Sequence, residues 1–188
     1  MNTVAIAPKN KLHPHKFTLW VAIGSILMMF AGLTSAYVVK RNQANWTSFE
    51  WPVMFWVSTI AIILSSVTLY LALKAFKERA MSRYRMLMLA TLGLGVLFIV
   101  LQVIGFSQLW QSGLTLQANV AYSFLYVIVG LHALHVIGGI ITLVVMSLKA
   151  FSQKVRNYSS LPVELISTYW HFVGILWLYL LAFLLMIR

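Results

Sequence analysis

Five long apolar runs, separated by polar and mostly basic intervals, set the pattern of this chain. They cover residues 17–39, 53–73, 86–106, 122–146 and 165–187. A helix needs about 20 apolar residues to cross the hydrocarbon core of a bilayer, and each run reaches that length. The pattern predicts an all-α, polytopic membrane protein: a bundle of five transmembrane helices, with residues 1–188 as one transmembrane domain. The first run follows a basic start and contains Leu33-Thr34-Ser35-Ala36, as a secretory leader would. It is longer than the roughly 7–15 residue apolar core of such a leader and stays apolar to Val39, so it is expected to be a retained helix.

The polar intervals orient the bundle. Lys9, Lys11 and Lys16 precede the first run. Lys74, Lys77, Arg79, Arg83 and Arg85 separate the second from the third, and Lys149, Lys154 and Arg156 separate the fourth from the fifth. Only Lys40, Arg41 and Arg188 fall on the opposite side. An excess of Lys and Arg marks the cytoplasmic side, which places the N-terminus inside and the C-terminus outside. Trp46, Trp51 and Trp110 sit at run ends, where interfacial aromatics belong.

Composition narrows the classes further. Charged residues make up 9% of the chain, against about 25% in a soluble domain. The net charge of +11 is interleaved with apolar runs, so it reads as topology and no nucleic-acid partner is expected. The absence of cysteine excludes disulfides, thiolate metal sites, iron–sulfur clusters and a cysteine-bridged dinuclear copper centre.

Polar residues within the runs carry the candidate chemistry. Ser58, Thr59, Ser65, Ser66 and Thr68 suit close helix–helix contacts, Gly93, Gly95 and Gly105 suit packing, and Gln102 suits an interhelical hydrogen bond. Intramembrane ionisable residues are functional candidates by default, and here they are His132, His135 and His171. His132 and His135 share one face of the fourth helix. Glu164 and His171, seven apart, share one face of the fifth. On the ~1.5 Å rise per residue, His135 and His171 lie at similar depth on adjacent antiparallel helices. Three readings stand: haem ligation by His135 and His171, with Gly130, Gly138, Gly139 and Gly174 making room; a proton or ion pathway, in a chain with no Asp and no Glu at mid-membrane; and a structural network in which His171 faces Glu164 and the fourth helix. Glu164 also suits the start of the fifth helix, where the macrodipole favours a carboxylate.

Two motifs resemble subunit III of the haem–copper respiratory oxidases. One is Gly130-x-His132-x-x-His135-Val136 followed by Gly138-Gly139; the other is Glu164, then Tyr169-Trp170-His171-Phe172-Val173 and Trp177-Leu178. A third, weaker likeness is Ser25, Met28, Phe30 and Ala36-Tyr37 in the first run. The resemblance spans the whole chain and is to the five-helix bacterial form. It implies a core subunit of a cytochrome c or quinol oxidase, in a bacterial cytoplasmic membrane, with no redox centre of its own. Haem and copper are then expected in the partner subunits I and II, small subunits are possible neighbours, and phospholipids are expected in a cleft. The implied structural or lipid-cleft residues are His132, His135, Glu164, Trp170, His171 and Trp177. A subunit associated with nitric oxide reductase is an alternative within the family. The chain departs from the family pattern at Ile26 and Gly174, where the family usually has glutamate and often has aspartate. A proton-related role for the first of those acids does not carry over.

Overall fold

The computed structural model describes residues 14–41, 52–113, 120–152 and 159–187. Lys9, Lys11, His13, Trp46, Trp51, Lys154, Arg156 and Arg188 lie outside them. The described residues form five helices: α1 (Pro14–Arg41), α2 (Val53–Lys77), α3 (Met81–Gln111), α4 (Val120–Phe151) and α5 (Leu161–Met186). All five are long and apolar enough to cross a membrane. The chain is an all-helical, multi-pass membrane protein.

Most of the helices run well past the apolar stretches that predict them. Hydropathy marks only the hydrocarbon core, whereas a helix goes on pairing its own backbone through the polar interface. At ~1.5 Å per residue the 31 residues of α3 span about 47 Å, against roughly 30 Å of hydrocarbon. The basic interval at 74–85 is thereby reduced to a turn of three residues, Glu78–Ala80.

That turn ends α2 through a left-handed residue. The Ala80 N–H donates to the Ala75 carbonyl (2.9 Å), and the Arg79 N–H donates to the Phe76 carbonyl (3.1 Å). Those two bonds define a Schellman cap, whose left-handed position is usually glycine. Here it is Arg79, at φ 61°. A side chain in that conformation costs about 1–2 kcal/mol. Arg79→Gly is therefore expected to stabilise the α2–α3 hairpin by up to about 1 kcal/mol, after the entropy of the freer unfolded glycine is discounted. Denaturant titration in mixed micelles would measure it.

α4 and α5 lie side by side in the middle. α1 packs on both from one side, and the tight antiparallel α2–α3 hairpin closes the other, with α2 on α5 and α3 on α4. α5 carries the most buried residues: Val163, Ile166, Ser167, Trp170, Val173, Gly174, Leu176, Trp177, Leu180, Leu181 and Leu184. Their spacing of three and four keeps one broad stripe turned inward. The start of α1, the α2–α3 turn, the end of α4 and the start of α5 meet at one end. Lys16 there reaches Glu164, and the Arg85 Nε–H donates to the Ala150 carbonyl (2.8 Å). The basic intervals converge on that end, and Lys40 and Arg41 close α1 at the other.

Candidate functional site

Hydroxyls on α2 hold the neighbouring helices. The Trp170 Nε1–H donates to Ser65 Oγ (2.9 Å), and Ser65 in turn donates to the Ile62 carbonyl (2.7 Å). One heptad on, the Trp177 Nε1–H donates to Thr59 Oγ1 (2.9 Å), which donates to the Phe55 carbonyl (2.7 Å). α3 uses the same device: Gln102 Nε2 donates to Ser58 Oγ (2.9 Å), and the hydroxyls of Thr68 and Thr91 are bonded at 2.8 Å. Each of these four α2 hydroxyls spends its own proton on a backbone carbonyl of its helix, which leaves its oxygen free to accept from a neighbour. In hydrocarbon such interhelical bonds contribute about 0.6–2 kcal/mol each. Of the five α2 hydroxyl residues read from the sequence as contact residues, Ser66 alone makes no such bond among the described residues.

Both indoles are 1% exposed. Trp170 lies between two glycines. A Cβ at Gly95 would come within 2.8 Å of its Cη2, and one at Gly139 within 2.9 Å of its Cε3 and Cζ3. Trp177 stacks on His132 (centroids 5.3 Å, planes 30° apart) and meets Phe98 edge-on at 5.4 Å. The His132 ring is closed in by Phe30 at 6.3 Å and Phe98 at 6.2 Å. It is fully buried, and neither ring nitrogen has a hydrogen-bond partner among the described residues.

The other two histidines part company. The His135 Nδ1–H donates to the Leu131 carbonyl (2.7 Å), and its ring meets Phe30 at 5.9 Å. The Tyr169 hydroxyl donates to the His135 carbonyl (3.0 Å), which joins α4 to α5. Yet His171 lies in a groove between α2 and α5 with Ile62, Ser66 and Tyr70, a groove to which α4 contributes no side chain. The expectation that His171 faces helix four is therefore corrected. His171 is two positions after Tyr169, and about 200° of helix turns it away from α4. His135 and His171 do not confront one another. The space at Gly139, expected to make room for a macrocycle, is occupied by Trp170 and Tyr169. Nothing favours the haem reading. No cluster of three or more His, Asp and Glu side chains occurs among the described residues.

Glu164 is likewise not the partner of His171. Lys16 Nζ of α1 lies 3.2 Å from one carboxylate oxygen. Lys77 Nζ of α2 lies 3.3 Å from the other, to which the Ser160 hydroxyl also donates (3.1 Å). One carboxylate at the start of α5 thus ties the basic ends of α1 and α2 to it. Its side chain is 27% exposed and the lysines more so, which limits each pair to at most about 1 kcal/mol.

This five-helix frame, with its paired tryptophans on α5 and its histidines on α4, has close relatives in sequence. The family described as cytochrome c oxidase subunit III matches residues 16–187. The chain belongs to the cytochrome c oxidase subunit III family. It is 28% identical over 202 residues to a probable cytochrome c oxidase subunit 3 of Nocardia farcinica, covering 100% of this chain and 98% of that protein. It is 29% identical over 195 residues to the cytochrome c oxidase subunit 3 of Corynebacterium diphtheriae (94% and 95% covered). It is 21% identical over 179 residues to a probable quinol oxidase subunit 3 of Staphylococcus haemolyticus (92% and 89% covered). As a subunit III of a terminal oxidase, it implies other subunits around it.

The subunit III frame clarifies Gly174. A Cβ at Gly174 would come within 3.2 Å of Ser66 Oγ, so α2 and α5 approach closely there. It also gives His132 a test. An unpartnered buried polar group costs about 1–3 kcal/mol, so His132→Phe, which keeps a ring on Trp177, is expected to leave stability unchanged or raise it by about 1 kcal/mol. Thermal denaturation in mild detergent would show it. A clear loss would mean that the imidazole holds a partner.

Proposed function

We propose that this chain is the non-catalytic core subunit III of a bacterial terminal oxidase in aerobic electron transport. It would sit in the cytoplasmic membrane beside catalytic subunit I and subunit II, which would carry the haem and copper. The N-terminus would be inside and the C-terminus outside, a reading supported by the basic residues gathered at one end of the bundle. The chain would act as a single transmembrane domain and bind no cofactor itself. Its work would be to support assembly, hold phospholipids and sustain proton uptake by its catalytic partner.

One observation carries this reading: four of the five α2 serine and threonine hydroxyls and both buried α5 indoles are spent on holding helices together. Trp170 and Trp177 are bound by Ser65 and Thr59. His132 and His135 rest on Phe30, and Glu164 is bound by two lysines. A scaffold of that kind shapes and steadies a neighbour without reacting. The polar intramembrane side chains of a proton path would instead form a hydrogen-bonded file across the bilayer.

The test is turnover endurance. Oxidase complex depleted of this chain is expected to start at a rate close to that of intact complex and then lose activity faster over successive turnovers. Adding the chain back should restore endurance. Equal decay with and without the chain would contradict the supporting role.

A further inference from the structure

The groove between α2 and α5 holds three polar groups that the bundle leaves unused. Ser66 and Tyr70 lie one turn apart on α2, and His171 lines the same groove from α5, one turn before Gly174, among apolar side chains such as Val67 and Ile175. None of the three makes a hydrogen bond within the described residues, in contrast to Ser58, Thr59, Ser65 and Thr68 on the same helix.

Depth decides what can answer them. α2 spans 53–77 and α5 spans 161–186, so Ser66 and His171 both fall within about 5 Å of their helix midpoints at ~1.5 Å per residue. The ester and head groups of a phospholipid lie some 15 Å from the centre of a hydrocarbon core about 30 Å thick. Acyl chains reach the groove but offer no hydrogen bond. Leaving a hydroxyl and an imidazole bare in hydrocarbon is unfavourable, and intramembrane polar residues almost always find a protein partner. The groove has a volume of about 450 Å³. From Ile62 to Tyr70 it runs about 12 Å along the helices, two turns of a facing helix. The small residues Ser66 and Gly174 on its walls let such a helix approach closely, as small residues do at membrane-helix interfaces.

We propose that this groove is the docking site for a transmembrane helix of another oxidase subunit. That helix would present an uncharged amide or hydroxyl side chain near the bilayer centre to His171 and Ser66. The proposal rests on the chain being a subunit of an oxidase complex and adds the face by which it is held.

A photoreactive phenylalanine analogue at Val67, which is 50% exposed on the groove wall, tests it by illumination in native membranes. The expected product joins this chain to a transmembrane segment of another oxidase subunit. His171→Phe keeps the ring but loses the hydrogen bond, and is expected to lower the yield about three- to tenfold, the effect of one interhelical bond. His171→Gln should restore part of it. Cross-linking only to phospholipid, to a quinone or to a second copy of this chain would overturn the proposal, as would a yield indifferent to His171→Phe. In each of those cases the chain would still co-purify with the oxidase. If it does not co-purify, the subunit reading itself fails and the docking site with it.

Discussion

Trp170→Ala should lower the stability of the bundle by about 3–5 kcal/mol, the range for removing a large buried aromatic. The substitution empties the space between Gly95 and Gly139, which have no Cβ to relax into it. It also takes the indole donor from Ser65, whose oxygen is buried on α2. Trp177→Ala should cost less, because Phe55, Phe98 and His132 surround that ring and can close partly around the gap. Denaturant titration of the purified chain in mixed micelles measures both. A loss below about 1 kcal/mol for Trp170→Ala would mean that the seam between α2, α4 and α5 is not what holds the bundle.

The second large effect comes from adding volume at the same place. Gly139→Leu would drive a branched side chain into an indole that already lies 2.9 Å from where the Cβ would stand, with Tyr169 Cε1 at 3.3 Å on the other side. Overpacking costs about 1–3 kcal/mol where neighbours can shift. Here the neighbour is a rigid ring held on its far edge by Gly95, so little folded protein is expected to accumulate in the membrane. Gly139→Ala is the informative milder change. It gains about 1 kcal/mol of helix propensity, which offsets only part of the contact, so a net loss smaller than that of Gly139→Leu is expected. Combined with Trp170→Phe, Gly139→Ala should become favourable. That non-additivity is the mark of two residues sharing one space.

These two sites show what could be read from the sequence. The five helices were legible because an apolar run of membrane length has few other uses. Their true ends were not, because the polar flanks at 14–16, 74–77 and 147–151 look like loop and are helix. The α2 hydroxyls were legible as contact residues, since Ser and Thr in a membrane helix are costly unless bonded. Which tryptophan each would meet was not, because spacing gives a residue its face and not its neighbour. Gly95 and Gly139 were visible as gaps, but only the fold shows that one indole fills both.

The histidines make the same point. Their helices were legible from the apolar runs, and Tyr169 joins α5 to α4 by reaching the His135 carbonyl. The direction of His171 was not, because an error of one or two residues in judging a helix face is 100–200° of rotation. Glu164 was visible as a rare acid at a helix start. Its partner Lys16 lies 148 residues away in sequence and becomes a neighbour only once α1 docks against α5.

The central claim is that this chain is a structural subunit of a terminal oxidase. The most direct measurement is to tag it, purify it from its own membranes in mild detergent, and record both the co-purifying proteins and the reduced-minus-oxidised haem spectrum. Recovery of a haem-bearing catalytic subunit, together with no haem signal from this chain once it is separated, is the predicted result. A chain that purifies alone, or that keeps a haem band of its own after separation, would contradict it.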